Sequence, residues 1–490
     1  MMMKRILLLL AAMSVCAFAS AQNQNESFDD FVRRIHGDFD GFRKEIEKNF
    51  SDYLRQSWEE FEVFAGEVKQ RKPKPEVLPV APKDTVSSSV RLSGAVEVAE
   101  EVGVTGQNPE PEAGYKVKME EPQENMSECT FDFYNVDASM SLPGEILACR
   151  LNGISESAVA DFWDKLEKSR YNAILHQIDV YADRIGLEGW SRYMWVDSLV
   201  KSAYGAGLEN EREVLRAFLL TQMGIDVRMG VADGSLVTLM AISQKVYSRR
   251  FVVIDGVRYY IDRNHSDATS LRTYKRGYSE KAVAPLNVAI TKPIALFNPD
   301  DGNHVKMVRH HSDVLESDLI LPVNKNRCVF YEDYPQVDAN IYAMAAQDPV
   351  FVGALTESFA KVMHGKTELE KVSVLMNFMH FDFKYATDQD QFGYEKPFFL
   401  EEDFVFPYND CEDRSILFSY LVKNLTGLDV IILDYPDHIS TAVAFTENIS
   451  GDYVQYNDKK YVICDPTYEG APVGLTMKGY AKQEFRILPL

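Results

Sequence analysis

The chain has 490 residues, 46% of them hydrophobic and 12% aromatic, which is ample for large buried cores and fits two or three domains better than one. Its formal charge of −22 argues against nucleic acid and anionic lipid as partners; it favours solubility and says nothing about chemistry.

The first residues read as an export signal, 1–21. Lys4 and Arg5 form a basic start, Ile6 to Phe18 a short apolar run, and Ala19-Ser20-Ala21 the small residues before a cut at Gln22. That run is too short for a transmembrane helix, and no later run is long enough. Met13-Ser14-Val15 is a poor lipobox for Cys16, so simple secretion is expected, to the periplasm if the source has two membranes. Cys129, Cys149, Cys328, Cys411 and Cys464 remain, an odd number, so at least one thiol stays outside any intramolecular disulfide. Cys149 and Cys328 read as small buried hydrophobes.

From Phe28 to Phe61 aromatic and aliphatic residues recur every three or four positions, predicting an amphipathic helix within 22–70 that serves core packing or self-association. Residues 71–125 are rich in proline, serine, valine and acids and read as a flexible linker. Helices are expected over about 155–204 and 209–223, then short strands to Ile261, closing a domain at 126–283. Residues 284–337 look strand-rich, with "LNVAITKPIALF" and "ESDLILPV" divided by the turn "NPDDGN". His304, His310, His311 and Asp313 fit no common metal spacing and read as solvated surface. Helical pattern returns at 338–381 and opens a last domain, 338–490.

In that domain Ile416, Leu417, Tyr420, Leu421 and Leu425 mark a helix that Gly427 ends, placing Cys411 at its N-terminus. Free N–H groups and the macrodipole favour a thiolate there, while Asp410, Glu412 and Asp413 oppose it. "DVIILDYP" is a strand; "HISTAVAF" is the next, opened by His438; "KKYVICDP" is a third, ending at Asp465. Cys411, His438 and Asp465 are spaced 27 residues apart at element ends that can converge. His438 would take the thiol proton and Asp465 would orient the imidazole. Cys464 should face the opposite side of its strand, toward core.

Cysteine opening a helix in "DCEDRS", histidine opening "HISTAVAF" and aspartate before proline in "VICDP" resemble the core of the transglutaminase-like superfamily. With upstream "FKYATDQDQFGYEKP", the resemblance is to its bacterial cysteine-peptidase-like branch and covers about 346–475. It implies an α+β, papain-like core and acyl transfer through a thioester, without a cofactor or metal. It also implies an oxyanion hole built from the nucleophile's backbone N–H and an upstream side chain, for which Gln391 and Tyr385 are the candidates. Where glycine commonly precedes the Asp-Cys pair, Asn409 stands.

The same order of elements occurs upstream. Setting "GIDV" on "GLDV" puts Gly224 opposite Gly427, Leu208 opposite Cys411 and Ser235 opposite His438; one gap puts Asp262 opposite Asp465. A catalytically dead copy of the fold is therefore expected at about 130–283. The leading expectation is an exported thiol enzyme acting on protein or peptide amides, hydrolytic rather than cross-linking. The competing one is a non-catalytic envelope scaffold that retains the fold.

Overall fold

The computed structural model describes residues 48–69, 74–83, 90–92, 96–98, 125–265, 267–278, 283–296 and 304–490. The expected export signal, most of the aromatic stripe, the turn "NPDDGN" and residues 99–124 lie outside them. Among the described residues no helix is long and apolar enough to cross a membrane. The described residues are mixed α+β, with two six-stranded sheets and two hairpins.

The aromatic stripe ends differently from its periodicity. A helix over 48–54 buries Phe50 and Leu54, but Glu59–Phe61 is a strand, β1. It pairs antiparallel with Leu271–Thr273, where a sheet edge offers backbone partners that a continuing helix could not use. The linker reading of 71–125 needs correcting for the described residues 74–83, 90–92 and 96–98. Lys74, Ala81 and Leu92 are buried, and β2 (Val96–Val98) lies parallel to Phe485–Pro489. Composition registers the lack of an internal core; these described pieces instead pack on surfaces that other parts of the chain supply.

The first half begins with the hairpin β3 (Met126–Asp132) and β4 (Asp137–Pro143) and the short helix α1 (Gly144–Leu147). The helices α2 (Glu156–Glu167), α3 (Asn172–Ile185), α4 (Gly189–Ala203) and α5 (Glu209–Gln222) follow, where periodicity places them. Then come β5 (Val227–Ala232), β6 (Ser235–Ala241), β7 (Phe251–Ile254), β8 (Val257–Ile261) and β9 (Leu271–Thr273). The strand-rich expectation for 284–337 holds for the hairpin β10 (Val305–Ser312) and β11 (Ser317–Asn324) only. The described part of "LNVAITKPIALF" has just one isolated bridge, at Leu286, and α6 (Lys325–Glu332) is a helix. Asn324 starts it by accepting the Asn326 and Arg327 N–H groups, a cap that outweighs the apolar run before it.

The second half has α7 (Ala339–Ala343), α8 (Pro349–Met363), α9 (Glu368–Phe381), α10 (Asp388–Gln391) and α11 (Cys411–Thr426). Its strands are β12 (Asp429–Asp434), β13 (Ile439–Ala444), β14 (Tyr453–Tyr456), β15 (Lys459–Cys464) and β16 (Phe485–Pro489). Val430 and Ile432 of β12 join the main core with α11, whereas Ile431 and Leu433 face a second cluster with Leu92, Tyr480 and Phe485. Burial on both faces is why this strand reads as an unbroken apolar run.

The two sheets share one strand order. Read from the hairpin edge inward, β7-β8-β6-β5-β9-β1 matches β14-β15-β13-β12-β16-β2. In both halves a long helix (α5 or α11) precedes the central pair and packs on it. The hairpin register agrees with the sequence alignment, for Val227 faces Met240 as Val430 faces Val443. One offset appears further out: Leu239 faces Ile261, whereas Ala442 faces Ile463, so Asp262 stands one residue out of ladder register with Asp465.

Candidate active site

Cys411 opens α11. Asp410 accepts the Glu412 N–H at 3.0 Å, and Asp413 returns to accept the Asp410 N–H at 3.0 Å, a reciprocal cap that fixes the helix start. Asp413 also accepts the Phe398 N–H at 3.0 Å, tying the preceding loop to the same turn. Six residues after Asp410, Ile416 and the following turns bury the helix against α9 and the central strands.

His438 stands immediately before β13 and Asp465 immediately after β15. The two strands pair directly, with Thr441 opposite Cys464, so both ends open on the same side. His438 Nε2 lies 2.9 Å from Asp465 Oδ2, and the other carboxylate oxygen accepts the Thr467 and Tyr468 N–H groups at 3.0 and 3.2 Å. With a carboxylate as its partner, Nε2 carries the proton, which leaves Nδ1 as the basic nitrogen. That Nδ1 is buried and has no hydrogen-bond partner. Burial alone would push the Asp465 carboxyl up, but the imidazole and the turn N–H groups hold it below the ordinary carboxylate range.

The Cys411 sulfur meets the N–H of Ile439, the residue after His438. That N–H follows directly on His438, and Cys411, His438 and Asp465 are 0%, 2% and 3% exposed. Burial pushes the Cys411 thiol well above its ordinary value; the Asp410 and Glu412 charges add to this, and Lys74 opposes it. Cys464 points into the main core, as alternation requires. All five described cysteines are unpaired.

The two oxyanion candidates are engaged elsewhere. Tyr385 lies near Cys411, and its hydroxyl donates to the Pro75 carbonyl at 2.7 Å. Gln391, at the end of α10, donates to the Tyr408 carbonyl at 3.3 Å. Asn409, the departure from glycine, donates its side-chain amide to Asp403 at 2.5 Å.

Three neighbours carry no sequence signal of their own. His380 accepts the Gly470 N–H at Nδ1, so its Nε2 proton goes to the Asp465 carbonyl at 3.0 Å; burial lowers its pKa and keeps it neutral. The Tyr480 ring packs on His438 at 4.8 Å. Lys74 is the third, and its contacts are the densest. Its ammonium bonds Asp410 and lies 2.6 Å from Glu395, 3.3 Å from Glu412 and 3.9 Å from Asp388. Lys69 holds the other oxygen of Glu412 at 2.9 Å. Oxygens of Asp388, Glu395 and Asp410 converge within 4.8 Å of one another, as they would around a metal cation, and Lys74 sits among them.

The upstream half holds different groups. Leu208 caps α5 and Ser235 opens β6, so neither thiol nor imidazole is present. Asp262 keeps the turn contact to the N–H two residues on, at 2.9 Å, but its other oxygen faces Tyr193 and Arg216. Arg216 also pairs with Asp197 and Glu213, both at 2.7 Å, filling this place with a closed ionic cluster. The surface reading of the histidines holds for His311, which pairs with Asp318 at 2.8 Å. His310 instead stacks on Phe383 at 4.8 Å, and burial lowers its pKa.

No family model, curated protein or solved structure matches the chain.

Proposed function

We propose that this chain is an exported thiol acyl-transfer enzyme of the transglutaminase-like kind, acting on peptide amides and resolving its thioester with water. The observation that carries the reading is the buried His438–Asp465 pair, whose free Nδ1 belongs to the residue next to the N–H that meets the Cys411 sulfur. In this chemistry His438 Nδ1 takes the thiol proton and the sulfur attacks the amide carbon. His438 then protonates the departing amine as the C–N bond breaks. Water attacks the thioester, giving its proton to His438, and the acid leaves as the thiol re-forms. Asp465 stabilises the imidazolium in both half-reactions. The Cys411 backbone N–H, free at the helix start, suits the oxyanion. The matching sheet orders support a duplicated papain-like core with a silent first copy.

Two measurements test this. Iodoacetamide should label Cys411 below pH 8, and His438→Ala should slow it; labelling that follows an ordinary thiol titration in both proteins supports the scaffold reading instead. A glutamine-containing peptide with a labelled amine then separates the acceptors. Cleavage or ammonia release alone supports hydrolysis, and amine incorporation replaces water with amine.

A further inference from the structure

The triad residues are closed from solvent, and the segment after Lys74 lies on residues that flank them. Tyr385, beside Cys411, holds the Pro75 carbonyl. Ala81 N–H donates to the Glu469 carbonyl at 2.8 Å, and Glu469 N–H to Pro79 at 2.9 Å, four residues after Asp465. Between these contacts Glu76, Val77 and Leu78 line a cavity with His380, Phe383 and Tyr385. The segment therefore spans from the cysteine side of the site to the aspartate side. Its described part is short, 74–83, and its one charged anchor is the Lys74 ammonium, 336 residues before the Asp410 it bonds.

The surroundings of that ammonium are those of a cation receptor. Four carboxylates face it, and three of them bring oxygens within one cation's reach. Acidic groups crowded beside a nucleophile that must itself become an anion oppose that anion unless a cation stands among them. Local helix capping accounts for the carboxylate of Asp410, which bonds the Glu412 N–H, but not for Glu395 converging from the preceding loop. Lys74 is also followed by Pro75, and a Lys–Pro amide has no N–H and a constrained φ, which makes it a poor scissile bond.

We propose that residues 74–81 are a tethered inhibitor whose Lys74 ammonium fills a subsite for a cationic side chain of the peptide substrate. This deepens the acyl-transfer reading and rests on it for the word substrate. Displacing the segment opens the triad and leaves the acidic cage to a lysine-like group of the incoming peptide.

The test uses the full chain and alkylation of Cys411 by iodoacetamide at pH 9, where an unassisted thiol also reacts and the rate reports access. Lys74→Ala should label faster by on the order of a hundredfold, the scale of breaking a buried charged contact. Lys74→Arg should stay near the wild type. N-acetyl-lysine methylamide should then protect Lys74→Ala, while its norleucine counterpart should not. Circular dichroism and a thermal melt show that each variant is folded. A Lys74→Ala rate equal to or below that of wild type overturns the inhibitor, because a lysine that only stabilised the thiolate would slow labelling when removed. Equal protection by both additives overturns the cationic subsite. Failure of the catalytic reading is seen separately, as a His438→Ala change that leaves labelling below pH 8 untouched in the Lys74→Ala background.

Discussion

Exchanging one oxygen for an amide at Asp465 separates orientation of the imidazole from everything else the residue does. In Asp465→Asn the side-chain oxygen can still accept the Thr467 and Tyr468 N–H groups, so the turn after β15 survives. The amide NH2 then faces His438 Nε2, which must become an acceptor, and the ring proton moves to Nδ1. A protonated Nδ1 cannot take the thiol proton. The pair lies almost wholly out of solvent, where breaking a buried charged contact costs about 3–5 kcal/mol. At about 1.4 kcal/mol per decade this lowers the reactive thiolate–imidazolium population by roughly 10² to 10⁴. The assay is the rate of Cys411 carboxamidomethylation from pH 5 to 9, read by intact mass, in the wild type and in the Lys74→Ala background. The melting temperature should fall with the lost charged contact, so rates are compared where both proteins are folded. An Asp465→Asn rate within about threefold of its parent at pH 7 refutes the reasoning, since orientation would then contribute less than 1 kcal/mol.

Further outcomes follow from the fold and the acidic cage. Arg327 bonds Glu401 at 2.6 and 2.8 Å and the Ile294 carbonyl at 3.1 Å, so Arg327→Ala should cost about 3–5 kcal/mol in urea unfolding by leaving a buried carboxylate unpaired. Burial, with the Glu412 charge, pushes Glu395 up to about 8, against an ordinary 4.5. Its contribution to stability is therefore full below 4.5 and lost as pH rises through about 8, and Glu395→Gln should flatten that slope in denaturation curves taken between pH 5 and 8.5. Gly451 has φ +137° and a side chain there would come within 2.4 Å of the Gly474 Cα, so Gly451→Ala should lower stability by about 2 kcal/mol or more. Leu208→Cys combined with Ser235→His should produce only an ordinary thiol by alkylation, because Asp262 is committed to Arg216 and Tyr193.

Several features were legible before any fold was known because they are local. Helix periodicity and the apolar runs of β12 and β15 follow from neighbours in the chain, and they place Cys411, His438 and Asp465 at element ends. The upstream echo was legible for the same reason: helix and hairpin repeat with matching register. Pairing between distant strands was not, and the one-residue offset of Asp262 arose there, where the second hairpin of each sheet docks on the first.

The sequence by itself determined that Cys411, His438 and Asp465 stand at element ends and that Leu208 and Ser235 stand at the matching places upstream. Only the tertiary structure decided what surrounds Lys74. "KPKPEVLPVAPK" has no apolar face, and nothing near it in the chain accounts for a buried lysine. Its partners are carboxylates more than 300 residues away, brought together by the N-terminus of α11 and the loop before it. A buried charge is stable only with its partners, and composition cannot register partners that folding alone brings near.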